Sequence, residues 1–148
     1  MSLTGQLTEA MKEAMKARDS LRLGAIRLIR TAVKNREIDQ RRELDDQEVI
    51  GVISSLVKQR KESAELYREG NRPELALKEE QELSVLQEFL PAQLGEEEIR
   101  AIIEEAVAET GASSMRDMGK VMKIVTGKTL GRADGRMVSD LVKARLSA

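Results

Sequence analysis

The stretch from Leu44 to Gly70 reads L-D-D-Q-E-V-I-G-V-I-S-S-L-V-K-Q-R-K-E-S-A-E-L-Y-R-E-G, and its pattern decides the fold. Asp45 can cap a helix start, and Glu48 stands three residues on. Leu44 and Val49 have the spacing of an apolar pair that brackets a first turn. From Val49 the inward positions run Ile53, Leu56, Arg60, Ser63 and Tyr67, close to a heptad. The second half of that stripe is weakly apolar, so the helix either reaches into solvent or pairs with another long helix. Gly70 and Asn71 end it, and the span is on the order of 39 Å at the helical rise per residue.

Helical spacing continues on both sides. Leu3, Leu7, Met11 and Ala14 make a first stripe. Leu21, Ala25, Leu28 and Ala32 make a second, widened by Ile26, Ile29 and Val33, with Asp19 and Ser20 as caps between the two. The polar run Glu37 to Glu43 predicts a loop or a frayed helix end. Pro73 suits the first turn of a fourth helix, whose apolar side is Leu75, Ala76, Leu83, Leu86 and Leu90, and Pro91 stops it.

A second start signal follows. Leu94 and Ile99 repeat the spacing of Leu44 and Val49, Glu98 repeats Glu48, and Gly95 takes the cap place. Three short amphipathic patterns then remain. One is Ile99, Ile102, Ile103, Ala106 and Val107; the next is Met118, Val121, Met122 and Val125 after a Ser114 cap. The last is Val138, Leu141, Val142 and Leu146 after Asp134. No strand pattern competes. The expectation is an all-α protein of about seven helices. An N-terminal helical domain with long helices covers residues 1–92, and a C-terminal three-helix domain covers residues 93–148, with the break at Pro91 to Gly95.

Composition narrows the function classes. The 148 residues are 41% hydrophobic and 34% charged, as in a folded globular chain. Tyr67 and Phe89 are the only aromatics, so aliphatic side chains must form the core. There is no cysteine, which excludes disulfides, thiolate zinc sites and cysteine nucleophiles. There is no histidine, which removes the usual general base near neutral pH and the commonest metal ligand. Neither a metal nor a cofactor is expected, and the chain is a poor enzyme candidate. Met1 to Ala10 lacks the pattern of a secretory signal, and no apolar run reaches the about 18 residues of a membrane span. These features predict a reducing, cytoplasmic compartment.

Net charge is −1, yet its distribution is uneven. From Gly111 to the end, eight basic residues stand against three acidic ones, and the same ratio holds from Arg18 to Arg42. The stretch M-G-K-V-M-K-I-V-T-G-K-T-L-G-R-A-D-G-R-M-V, Met118 to Val138, reads as two helices flanking a glycine-rich loop. Lys128, Arg132 and Arg136 follow glycines there, and Lys120 and Lys123 precede them. Glycines allow close backbone approach and basic side chains beside them contact phosphate, so these five are the candidate nucleic-acid-binding residues. The bland alternative is capping glycines and solvated charges. With Tyr67 and Phe89 as the only aromatics, base stacking is not expected, and a partner would be held through phosphates and shape, as a folded RNA is.

Other motifs fail their context. Gly127-Lys128-Thr129 resembles the end of a phosphate-binding loop, but Met122 stands where the pattern needs glycine, and no strand precedes it. Ser55 and Lys58 have serine–lysine spacing without the companion motifs of that enzyme class. Glu96, Glu97 and Glu98 complement a helix N-terminus.

Across essentially its whole length the chain resembles the YqeY family. The residues that carry the resemblance are Leu44-Asp45-Asp46-Gln47-Glu48-Val49, Lys58-Gln59-Arg60-Lys61-Glu62-Ser63 and Gly70-Asn71-Arg72 with Glu79. Further along they are Phe89-Leu90-Pro91-Ala92-Gln93-Leu94, Asp117 to Met122, and Gly131-Arg132-Ala133-Asp134-Gly135 with Val138. Two mild departures are the Thr126-Gly127-Lys128 segment and the Leu94-Gly95 cap. The C-terminal part of that family is similar to the tail of one component of the tRNA-dependent amidotransferases. The resemblance implies an N-terminal helical domain, a C-terminal three-helix domain, and tRNA or a tRNA-like RNA as partner. The amidotransferase chemistry lies in domains that have no counterpart here, so it is not carried over. The resulting expectation is a non-catalytic RNA-binding module, with a protein–protein adaptor acting through the long N-terminal helices as the alternative.

Overall fold

The computed structural model describes residues 2–148. It is all-helical: among the described residues there is no strand. The helices are α1 (Leu3–Ala17), α2 (Ser20–Gln40), α3 (Asp46–Glu69), α4 (Pro73–Glu88), α5 (Glu96–Thr110), α6 (Met118–Thr129) and α7 (Gly135–Ser147). A single 3-10 turn, Met115–Asp117, precedes α6. The chain divides into two compact units, one ending at Leu90 and one spanning Pro91–Ala148.

The first unit is built on α3. Asp45 Oδ1 accepts from the Glu48 backbone N–H at 2.8 Å, and Glu48 Oε1 accepts from the Asp45 N–H at 3.2 Å. Leu44 and Val49 are both buried beside this reciprocal cap. Arg42 adds a two-armed contact to the Glu48 carboxylate. That contact, helped by the Asp45 N–H, holds the Glu48 carboxyl at about 2 instead of its usual 4.5. Leu3 donates its N–H to Asp46 Oδ1 at 3.0 Å, tying the start of α1 to the start of α3. Leu7, Ala14, Ala25, Ile26, Ile29, Val49, Ile53 and Leu86 meet in the core.

That core stops short of the end of α3. It includes Val57 and Val85, but not Ala64 or Ala76, which are buried only where the distal parts of α3 and α4 pack on each other. The weakly apolar half of α3 therefore takes the paired alternative. Arg60 lies 3.2 Å from a carboxylate oxygen of Glu79 and 3.2 Å from one of Glu82, and Arg68 pairs with Glu80. Asn71, at φ 59, makes the reversal.

The polar run after Glu37 is shorter as a loop than its composition predicts. Helix α2 continues through Gln40, and Arg41 ends it in the left-handed region at φ 56. Glu37 contributes twice: its carbonyl accepts from the Arg42 N–H, and its carboxylate accepts from the Leu44 N–H at 3.0 Å. A side chain that looks merely solvated in sequence thus satisfies the backbone of the turn.

In the second unit Ile99, Ile103, Ala106, Val121, Val125, Val138 and Val142 form a separate apolar core. Helix α6 packs against both α5 and α7. Glu98 Oε1 accepts from the Gly95 N–H at the start of α5, Asp117 from the N–H groups of Ser113 and Ser114 around the 3-10 turn, and Asp134 from that of Arg136 at the start of α7.

Candidate nucleic-acid interface

The five candidate residues all lie in the second unit, but on different local supports. Lys120 and Lys123 are exposed on α6, three residues apart and so on one face of the helix. The buried Val121 and Val125 define the opposite side and leave these two lysines pointing at solvent. Asp117, one turn before Lys120, has its carboxyl held below the usual range. The N–H groups of Ser113 and Ser114 are the main cause, with smaller contributions from Lys120 and Arg116.

Lys128 departs from the sequence expectation. Thr126, Gly127 and Lys128 are not loop but the last turn of α6. The reason is Thr129, which is buried on the Val121–Val125 stripe and donates its hydroxyl to the Val125 carbonyl at 2.9 Å. That burial carries the helix through Gly127. Lys128 then lies well around the helix from Lys123 and pairs with Glu105 of α5 at 3.6 Å.

The loop proper is Leu130 to Asp134. Of the four glycines between Met118 and Val138, Gly131 alone has positive φ, at 72, and it is buried. Around it the chain is fastened to the segment that opens the unit. The Leu94 N–H donates to the Arg132 carbonyl at 2.7 Å, and Gln93 Nε2 donates to the Gly131 carbonyl at 2.8 Å. Arg132 Nε reaches back to the Ala92 carbonyl at 3.4 Å. Arg132 is therefore a half-buried brace, whereas Arg136 is exposed in the first turn of α7.

The structure thus brings Lys120 and Lys123 together, leaves Arg136 exposed at the start of the next helix, and engages Lys128 and Arg132 with the protein itself. Sequence reasoning missed Gln93 and Glu105. Gln93 lies inside a segment that carries the family resemblance but gives no charge signal, and Glu105 sits in an acidic run that reads as solvated.

A cleft between α5 and α7 is lined by Arg100, Ile103, Glu104, Leu141, Ala144 and Arg145, with a volume of ≈ 280 Å³. Its charges are spoken for. Arg145 grips both oxygens of Glu104, which holds that carboxyl below its usual range, and Arg100 pairs with Glu96 at 2.7 Å. Among the described residues, no three acidic groups converge to hold a metal ion, and no helix is long and apolar enough to cross a membrane.

Comparison with known proteins gives the chain relatives. The family model described as Yqey-like protein matches residues 4–146. The chain is 41% identical over 85 residues to altered inheritance of mitochondria protein 41, mitochondrial, of Vanderwaltozyma polyspora, covering 57% of this chain and 46% of the relative. It is 38% identical over 85 residues to the protein of that name in Lachancea thermotolerans, covering 57% and 46%. It is 33% identical over 91 residues to the one in Candida glabrata, covering 60% and 50%. The matches thus span about half the length of these relatives. Their names correct the compartment expected from the sequence: cytoplasmic was inferred from a start without the secretory-signal pattern and from the lack of a membrane-spanning run, but all three are named as mitochondrial proteins. Lacking a secretory signal and a membrane span does not name a compartment, which explains the error.

Proposed function

We propose that this chain, which belongs to the Yqey-like family, is a non-catalytic module that binds tRNA or another structured RNA through phosphate contacts. In this reading the domain covering residues 93–148 is a three-helix, amidotransferase-tail-like unit. Lys120, Lys123, Lys128, Arg132 and Arg136 are its contact set, with Lys120 and Lys123 at the centre. The observation that carries the reading is the shared, exposed face of those two lysines in the segment beyond Gly111, which holds eight basic and three acidic residues, the glutamates of the unit lying on α5. Both aromatic residues lie outside that unit, so recognition would run through phosphate and shape and not through stacking. Lys128 and Arg132 would contribute only by exchanging Glu105 and the Ala92 carbonyl for phosphate.

The experiment is equilibrium binding of the full chain to a tRNA, compared with Lys120→Glu/Lys123→Glu. Weakened binding with an unchanged melting curve supports the reading; unchanged affinity removes this face from it.

One observation favours the adaptor alternative. On the distal parts of α3 and α4, Leu66 and Leu77 are 66% and 53% exposed on a two-helix arm beyond the core. Apolar side chains there are the kind a partner helix covers. Loss of a co-purifying protein on Leu66→Glu/Leu77→Glu, with RNA binding intact, would select the adaptor.

A further inference from the structure

Helix α2 carries a second basic surface that the first unit leaves unused. Its apolar side is consumed: Ala25, Ile26, Ile29 and Val33 are buried in the core. On the exposed side stand Arg27, Arg30 and Lys34, at spacings of three and four residues, with Arg41 one heptad further on. At 100° per residue Arg27, Arg30 and Lys34 fall within one narrow stripe of the helix, and Arg41 is the left-handed residue that ends it. From Arg27 to Arg41 the row extends about 21 Å along the axis.

The row is electrostatically open. Among the described residues no carboxylate pairs with any of the four side chains, although Arg22, on another side of α2, and Arg42, beyond its end, are each paired, with Glu88 and Glu48. Arg30 touches only the Met11 sulfur, at 2.7 Å, a weak acceptor that leaves its charge in place. The acidic residues of α2 form no ion pair with it either. Glu37 is turned onto the Leu44 N–H, and Asp39 projects from another side of the helix. Beside the row lie Gly24, Thr31 and Asn35, all exposed and none bulky, and the exposed Ile38 stands near its far end.

We propose that this face of α2 is a contact surface for the phosphate strand of double-helical RNA, separate from the α6 lysines. The proposal rests on the RNA-binding reading and adds to it a site in the other unit. A nucleic-acid strand carries one negative charge at every phosphate, so a row of this length lies against several of them in succession. An anionic membrane fits less well. A helix that lies on a bilayer inserts an apolar face, and the apolar face of α2 is inside the protein. Beside four like charges, Ile38 alone is too little for the clustered anchors that dominate protein interfaces.

The test uses the full chain and a structured RNA hairpin, with affinity measured across a salt series. The variants are Arg27→Gln/Arg30→Gln/Lys34→Gln and, separately, Lys120→Glu/Lys123→Glu. The α2 variant is expected to bind at least about tenfold more weakly and to flatten the log–log salt dependence by about 2 to 3. Its melting curve should not move, because the three side chains are exposed. Wild-type affinity and slope in the α2 variant, with binding lost in the α6 variant, overturns the α2 site and leaves the RNA reading standing. Loss in the α2 variant alone supports the α2 site and removes the α6 face. Failure of the wild type to bind the hairpin overturns both. Equal or tighter binding to a DNA duplex of the same sequence, to phosphatidylserine vesicles or to polyglutamate overturns the RNA assignment. A melting curve that falls in the triple variant directs the same comparison to Lys34→Gln alone, where one contact should cost about one unit of slope; an unchanged slope there overturns the α2 site.

Discussion

Gln93 Nε2 donates a 2.8 Å hydrogen bond to the carbonyl oxygen of Gly131, closing the α6–α7 loop onto the segment that opens the second unit. The bond sits beside the 2.7 Å link from Leu94 to the Arg132 carbonyl, so two adjacent carbonyls of the loop are satisfied by two adjacent residues. Gly131 supplies the left-handed turn at this point of the loop. Gln93→Ala is expected to destabilise the protein by about 1 kcal/mol, the usual net worth of a neutral hydrogen bond. Gly131→Ala should cost about 1–2 kcal/mol for placing a Cβ at positive φ. Urea unfolding of each variant checks both.

Acid should weaken the first unit through Glu48. Its carboxyl sits at about 2 in the folded chain against 4.5 ordinarily, so folding favours the charged form. Above pH 4.5 that contribution is fully present. As pH falls from 4.5 toward 2, the unfolded chain takes up a proton that the folded chain refuses, and the contribution is lost. Glu48→Gln should therefore be less stable than wild type at pH 7, and the gap should narrow through that window. A gap that stays constant with pH would exclude the Arg42–Glu48 contact as its source.

Gly24 lies in the interior of α2, exposed, with nothing within 4 Å of where a Cβ would stand. Nothing in the fold requires a glycine at that position. Gly24→Ala should raise stability by about 0.5–1 kcal/mol by restricting the unfolded chain and favouring the helix. A denaturation midpoint below that of the wild type would contradict this.

Arg60 faces two carboxylates in a mostly buried setting, with side-chain exposures of 25% for Arg60, 15% for Glu79 and 21% for Glu82. Arg60 Nε and Glu79 Oε2 have no hydrogen-bond partner, so Coulomb attraction holds the cluster. Arg60→Ala would leave two half-buried like charges facing each other, and should cost about 2 kcal/mol. Replacing Arg60, Glu79 and Glu82 together by Met, Leu and Leu should recover most of that loss, because apolar packing substitutes for a desolvated ion cluster. Thermal melts of the single and triple variants separate the two effects.

Much of the fold was legible because its signals are local. Asp45, Glu48, Leu44 and Val49 lie within six residues, and the cap they predicted is the one that forms. The candidate site was less legible. Thr126 to Lys128 reads as loop because Gly127 interrupts the pattern, yet the buried Thr129 keeps the helix going. As bare charges, Lys128 and Arg132 look identical in kind to Lys120 and Lys123. Only Glu105, 23 residues before Lys128, and Ala92, 40 before Arg132, set them apart.

The sequence by itself determined that this protein is helical, where most of its helices start, and which side of each is apolar. Those properties follow from backbone capping and from the 3.6-residue period, which need no distant partner. The tertiary structure decided which charges remain available. Arg60 is spent on α4, Arg132 on the carbonyl of Ala92 and Glu37 on the turn after α2, while Lys123 and the row from Arg27 to Arg41 stay open. Whether a charge is neutralised depends on groups brought within about 4 Å across the fold, where Coulomb energy becomes large enough to matter. That distance has no counterpart along the chain.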